Sequence, residues 1–317
     1  MSEWQQAALG SLTTKIGSGA TPRGGGAVYQ AHGVSLIRSQ NVLDNSMKVD
    51  EIAHLSDAAA ESLRGVTVEA GDVLINITGD SVARCTTVNP SVLPARVNQH
   101  VAILRPSPSL NALFLQKLLV SPDMKSHLLT IATGGGTRNA LTKTQLSNLV
   151  IAIPPLPEQQ AIAEVLGALD DKIAANTALA ATADELMHRT FTSVPAANEV
   201  PLSATAEFIN GKAFTKGASG TGRVVVRIAE LNGGIGGSTV YSDAIVDDKH
   251  VARAGDILFA WSGSLTLHRW FRDEAIVNQH IFKVIPRDGF PAWLVYELVR
   301  QKLVDFKAIA ADKATTM

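Results

Sequence analysis

At 317 residues, 46% hydrophobic and 18% charged, the chain is long enough for two domains with separate cores. No apolar run reaches the length of a membrane span, and the opening MSEWQQAALGSL lacks the basic and apolar regions of a signal peptide. The single cysteine, Cys85, excludes an internal disulfide and a cysteine-rich metal site, so a reducing cytoplasm is the expected compartment. A net charge of −1 argues against a uniformly basic nucleic-acid binder, but the charge is uneven. Residues 1–156 carry 12 Lys and Arg against 10 Asp and Glu, residues 157–193 carry 2 against 6, and residues 194–317 carry 14 against 13. The acid is concentrated in the middle, and the flanks can meet a polyanion through local basic patches.

Residues 9–50 read as short strands separated by glycine-rich turns, and residues 57–65 as a short helix. Residues 68–88 predict two strands around a Gly79-Asp80 turn, and residues 97–106 another strand. Residues 111–130 predict two helical segments broken at Ser121-Pro122. A glycine loop, a helical turn and a last strand then lead to three prolines, Pro154, Pro155 and Pro157.

From Pro157 to about residue 193 the pattern is that of one long helix. Proline suits its first turn, Glu158 complements the positive end of the dipole, and Gly167 is the one helix breaker. Ile162, Leu166, Leu169, Ile173, Asn176, Ala180, Ala183 and Met187 recur at alternating spacings of three and four, a heptad seam with Asn176 as a polar break. Such a helix is about 50 Å long at 1.5 Å per residue. A narrow apolar stripe of this kind needs a partner helix, and a spacer between two domains is the expected role.

The elements then recur. Ala70-Gly71-Asp72-Val73-Leu74 returns as Ala254-Gly255-Asp256-Ile257-Leu258, and Val97-Asn98-Gln99-His100 as Val277-Asn278-Gln279-His280. Weaker echoes link Ser35-Leu36-Ile37-Arg38 with Val224-Val225-Val226-Arg227, and Lys15–Gly19 with Phe208–Lys212. Residues 291–310 mirror the helices of 111–131. The shared order predicts two copies of one domain, 1–156 and 194–317, joined by the helix 157–193.

On these residues the chain resembles the specificity subunit of type I restriction-modification systems. The resemblance rests on IPPLPEQQAIAEVLGALDDKI, the paired AGD and VNQH segments, and TGGGTRNALTKTQL before the helix. It implies an α+β fold with two target-recognition domains on a coiled-coil-type spacer, each domain reading one half of a split double-stranded DNA sequence. It also implies two adenine-methylating M subunits docked on the chain and R subunits that translocate and cleave. The second domain stops where the family pattern continues into a last strand and a second spacer helix, so the expectation is either a truncated chain or a second chain that supplies that helix.

No catalytic residue, cofactor or metal ligand is expected. Asn89-Pro90-Ser91-Val92 lacks the second proline and the aromatic of an adenine-methylase motif. The repeated His100/His280 and Asp72/Asp256 read as structural, the aspartates as turn residues bonding their own backbone. An assembly scaffold without DNA contact and a stand-alone DNA-modifying enzyme are the alternatives.

Arg, Gln and Asn are the residues that read guanine and adenine in the major groove, and Arg38, Gln40 and Asn41 supply them within four positions. Arg138 and Asn139 add a pair on the glycine loop, where backbone N–H groups suit a DNA phosphate. The matching stretch of the second copy offers Arg227 and Asn232, with Lys212, Lys216 and Arg223 upstream. Thr78 and Ser262 stand at a variable edge after the repeated strands, and Lys15 precedes the first of them. The expected helix interface is Ile162, Leu166, Leu169, Ile173, Asn176 and Met187.

Overall fold

In the computed structural model, residues 4–134, 139–195 and 199–314 are described. The chain divides into two compact units, Met1–Ala178 and Leu179–Met317.

The first unit is built on a four-stranded antiparallel sheet in the order Thr13–Ser18, Val101–Pro106, Val73–Asn76, Cys85–Thr87. Its central strands are apolar on both faces, and alternation assigns each side chain a partner layer. Val73, Ile75, Ala102 and Leu104 pack with Phe114, Leu115, Leu119 and Leu128 of the helices Ala112–Val120 and Pro122–Thr133. Leu74, Val101 and Ile103 face Ile37, Val68 and Val97 of a second sheet. Each of the Val, Leu, Ile and Phe side chains among these, fully buried, contributes roughly 1.5–3 kcal/mol. The helices break at Ser121-Pro122 as predicted, with Pro122 opening the second, where no N–H is needed. The second sheet runs Tyr29–Gln30, Ala53–Leu55, Val34–Ile37, Ala95–Val97, Thr67–Val68, with Val34–Ile37 parallel to Ala95–Val97.

The second unit repeats the order of the four-stranded sheet, and its other sheet has four strands against five. Ala206–Asn210, Ile281–Pro286, Ile257–Ala260 and Thr266–Arg269 form one sheet, and Tyr241–Ser242, Arg223–Val226, Ala275–Val277 and Val251–Ala252 the other. Arg223–Val226 is again parallel to Ala275–Val277. Ile257, Phe259 and Val284 pack under Val295 and Val299 of a helix, while Leu258, Ala260 and Ile281 face Val226 and Val277. That helix, Ala292–Ala314, is continuous where two segments were expected, because Lys302 stands 180 positions after Pro122 and interrupts nothing.

The registers also correct the weakest of the sequence echoes by one residue. Ser18 pairs with Ala102 and Asn210 with Phe282, so the equivalent glycines are Gly19 and Gly211. A Cβ on Gly19 would lie 2.1 Å from the Val97 carbonyl oxygen, and one on Gly211 would lie 2.1 Å from that of Asn278. Only glycine lets the two backbones approach so closely.

Gln5–Ala8 pairs antiparallel with Val150–Ile153, which leads into the helix Leu156–Ser193. Thr142 starts the short helix before that strand through a capping box with Gln145. Among the described residues no helix is long and apolar enough to cross a membrane.

The apolar seam of the long helix is less uniform than the heptad pattern predicts. Ile162 packs against the core of the first unit, and Met187 is half-buried with its sulfur 3.6 Å from Arg269 Nη2. These two expected interface residues are therefore engaged inside their own units. Leu166, Leu169 and Ile173 remain 37%, 51% and 65% exposed, and Asn176 is exposed beside them.

Candidate functional site

In each unit the repeated Val-Asn-Gln-His segment forms a turn at one end of the main sheet. The Asn98 N–H donates to the Ile37 carbonyl (3.0 Å), and the Asn278 N–H to that of Val226 (3.1 Å). The His100 carbonyl accepts from the Ile77 N–H (2.9 Å), and the His280 carbonyl from the Trp261 N–H (3.1 Å). These bonds bring four segments to one rim: the turn itself, the residues after Val73–Asn76 or Ile257–Ala260, the glycine approach, and the short helical turn opened by Arg38 or Arg227.

That helical turn explains which of the expected readers are free. Asn41 has no exposed surface. Its Oδ1 accepts the Arg38 N–H at 3.0 Å, and its Nδ2 donates to the Lys48 carbonyl at 3.0 Å. Glu230 holds the same place in the second unit, 3% exposed, accepting the Arg227 N–H at 3.0 Å and bonds from the guanidinium at 3.0 and 2.6 Å. Burial opposes ionisation of Glu230, but the Arg227 hydrogen bonds outweigh it and hold the carboxyl below the usual range. Asn41 is thus a fold support in this arrangement, correcting its expected role as a base reader. The Arg38 and Arg227 guanidinium groups also bond backbone carbonyls, those of Glu51 and Ser238. Gln40 is exposed on the turn, which Asn76 Nδ2 ties down by donating to the Ser39 carbonyl at 2.9 Å.

Thr78 reaches the same rim. Its hydroxyl lies 2.6 Å from His100 Nδ1, and the Gln99 amide nitrogen lies 2.9 Å from His100 Nε2. Asn139, exposed, joins through its carbonyl, which accepts from the Gly79 N–H. Arg138 lies outside the described residues. Lys15 is not part of the cluster: it sits three residues down its strand, opposite Arg105, and donates to the Gly65 carbonyl at 3.0 Å.

In the second unit Lys212 lies beside the turn, and Ser262 follows the strand end held by His280. The Lys212 carbonyl accepts the Gln279 N–H, and its side chain is exposed. Ser262 follows Trp261, which is 40% exposed, holds Asn210 Oδ1 through its indole N–H at 2.9 Å, and lies 5.2 Å from the His280 ring. His280 adopts a left-handed backbone, φ 72°, unusual for a side chain of this size. Lys216 and Asn232 are exposed. Arg223, at the far end of its strand, instead bonds the Ala244 carbonyl at 2.8 Å. Gln99, His100, Trp261, Gln279 and His280 were not among the expected readers, although the repeated tetrapeptide marked four of them.

The other motifs are explained locally. Asp72 accepts the Glu69 N–H at 2.7 Å and Asp256 the Arg253 N–H at 2.7 Å, the predicted turn geometry. Each also meets a cation from the neighbouring strand, Arg105 at 2.7 Å and Lys283 at 2.9 Å. Asn89 caps the turn Pro90–Val92 through Ser91 N–H. Burial pushes the Cys85 thiol up, away from the reactive thiolate.

Comparison with known proteins places this architecture. Residues 1–183 match the family described as type I restriction modification DNA specificity domain. The specificity subunit of the HindI type I restriction enzyme of Haemophilus influenzae is 26% identical over 196 residues, 61% of this chain and 41% of that protein. The chain thus spans about two-fifths of the length of that curated relative. The S subunit of a type I restriction-modification system from M. genitalium shares the fold, with a TM-score of 0.59 at 14% identity over 98% of this chain and 80% of that one. An HsdS subunit from Thermoanaerobacter tengcongensis gives 0.43 at 18% identity over 96% and 80%. The family match takes in the whole first sheet, its rim and most of the long helix, and on that extent the chain belongs to the type I restriction modification DNA specificity domain family.

Proposed function

We propose that this chain is the non-catalytic DNA-specificity subunit of a type I restriction-modification complex. In this reading residues 1–156 and 194–317 are two target-recognition domains, and residues 157–193 form the spacer that sets the distance between two half-sites. The observation that carries it is the rim: two sheets of one strand order present the same Asn-Gln-His turn beside neighbours that differ. A shared frame with divergent exposed polar residues is what a reader of two different sequences needs. Gln40, Thr78 and Asn139 are the proposed readers in one domain, and Lys212, Ser262 and Asn232 in the other. Arg138 and Lys216 are proposed to contact the DNA backbone. Double-stranded DNA, two methyltransferase subunits, restriction subunits and a second helix along Leu166, Leu169 and Ile173 are the partners, in the cytoplasm.

The test is the methylated motif in cells that express this chain with its methyltransferase partner. Gln40→Ala is expected to relax one or two base pairs in one half of a bipartite motif, at about 1–3 kcal/mol per lost bidentate contact. Methylation independent of this chain would overturn the function. A loss uniform across sequences would remove Gln40 from the readers.

A further inference from the structure

The two Asn-Gln-His turns share their two backbone anchors, although His280 and not His100 has a left-handed backbone, and the glutamine is the one residue that no core contact accounts for. Val97 and Val277 are wholly buried. Asn98 Oδ1 accepts the His100 N–H at 3.1 Å, and Asn278 Oδ1 accepts the Phe214 N–H at 3.1 Å, so both asparagines are structural. The histidine carbonyls hold the neighbouring strand ends. Gln99 and Gln279 are exposed. Among the described residues the Gln99 side chain hydrogen-bonds only with His100, and the Gln279 side chain has no hydrogen bond. Nothing in either core requires glutamine there, yet both units carry it in the same slot.

The residues around it do differ. Ile77-Thr78 corresponds to Trp261-Ser262, Ser18 to Asn210, and Ser39-Gln40-Asn41 to Ile228-Ala229-Glu230. Different half-sites call for different base contacts. The one chemical feature that two half-sites of any sequence share is the sugar–phosphate backbone.

We infer that Gln99 and Gln279 are a matched pair of phosphate contacts, one per half-site, which set the register of each unit on the duplex without reading bases. The inference rests on the DNA-specificity reading above. A carboxamide suits the role: its NH2 donates to an anionic oxygen, a charge-assisted bond, and it brings no charge of its own. Because it is neutral, it releases no counterion and leaves the salt dependence of binding unchanged.

The experiment uses the full chain assembled with its methyltransferase partner, and two duplexes, one with the methylated motif and one with a scrambled half-site. Gln99→Ala and Gln279→Ala are each expected to weaken binding about tenfold on both duplexes, the scale of a lost hydrogen bond to a charged group. The ratio between duplexes, the slope of log affinity against log salt and the methylated motif stay as in the wild type. Gln99→Glu sets a carboxylate against a phosphate and binds more weakly than Gln99→Ala. Both side chains are exposed, so an unchanged melting temperature checks the fold. Unchanged affinity in the alanine variants would overturn the inference, and so would an altered base preference confined to one half-site, which marks a base contact. A wild-type complex with no preference between the duplexes would instead overturn the specificity reading, and this inference with it.

Discussion

At the residue scale the two units solve the same local problem with different side chains. Asn41 and Glu230 both cap a short helical turn from the third position, and Arg105 and Lys283 both neutralise a turn aspartate from different points of the adjacent strand. His250 has no such satisfaction. It is 3% exposed, Phe214 lies edge-on at 5.8 Å, and neither ring nitrogen has a hydrogen-bond partner among the described residues. Burial, then Lys212 and Lys249, hold its pKa below the usual histidine value, and burial does the same for His268. A depressed folded-state pKa means that the unfolded chain takes up the proton first as pH falls. Stability from these two groups is therefore complete above about pH 6.5, the unfolded value, and declines as pH drops below it. Calorimetric melting between pH 7.5 and 5.5 should show the His250→Phe variant losing less stability than the wild type. Parallel curves for the two proteins would contradict this account.

At the element scale the long helix carries unequal halves of work. Gln159 anchors it to the first unit: its side-chain oxygen accepts the Asn111 N–H at 2.9 Å, and its amide donates to the Pro154 and Ser109 carbonyls. Ala163 is buried beside it, and Lys117 reaches Asp170. Within the second unit Glu297, wholly buried, meets His188 at 2.8 Å, and Arg300 meets Asp184 at 2.9 Å. Between these anchors the exposed Leu169 and Ile173 have no such duty, which makes them the natural contact for another helix. Each is worth roughly 1.5–3 kcal/mol on full burial. Leu169→Asp combined with Ile173→Asp should leave the melting temperature of the chain almost unchanged but abolish its association with the second helix or the methyltransferase subunits. A mixture that elutes at the wild-type volume in size-exclusion chromatography would exclude this seam as the interface.

At the scale of the whole molecule the spacer proposal makes a geometric claim. One heptad inserted between Ala175 and Asn176, matched in the partner helix, keeps the phase of the seam. It adds about 10.5 Å at 1.5 Å per residue. At about 3.4 Å per base pair this asks for roughly three more unread base pairs between unchanged half-sites. Those base pairs also turn one half-site by roughly a third of a duplex turn, which tilt or DNA distortion must absorb. Sequencing of methylated sites in cells expressing the variant measures the gap. An active enzyme with its original gap would show that the spacing is set elsewhere.

The sequence by itself determined the elements whose signals are local: the helix break at Pro122, the turns at Asp72 and Asp256, the capped helix at Thr142 and the long helix after Pro155. It also marked the Val-Asn-Gln-His segment, which forms a turn held by the same two backbone hydrogen bonds in each unit. Tertiary structure decided what spacing along the chain cannot encode. Asn41 and Gln40 are adjacent and chemically alike, yet one amide is consumed by the Arg38 N–H and the Lys48 carbonyl while the other faces outward. Ile162 and Ile173 share one heptad seam, but only the first lies against a core. Which side chain is spent on the fold and which is left for a partner depends on contacts between residues far apart in the chain, and those exist only once the sheets have closed.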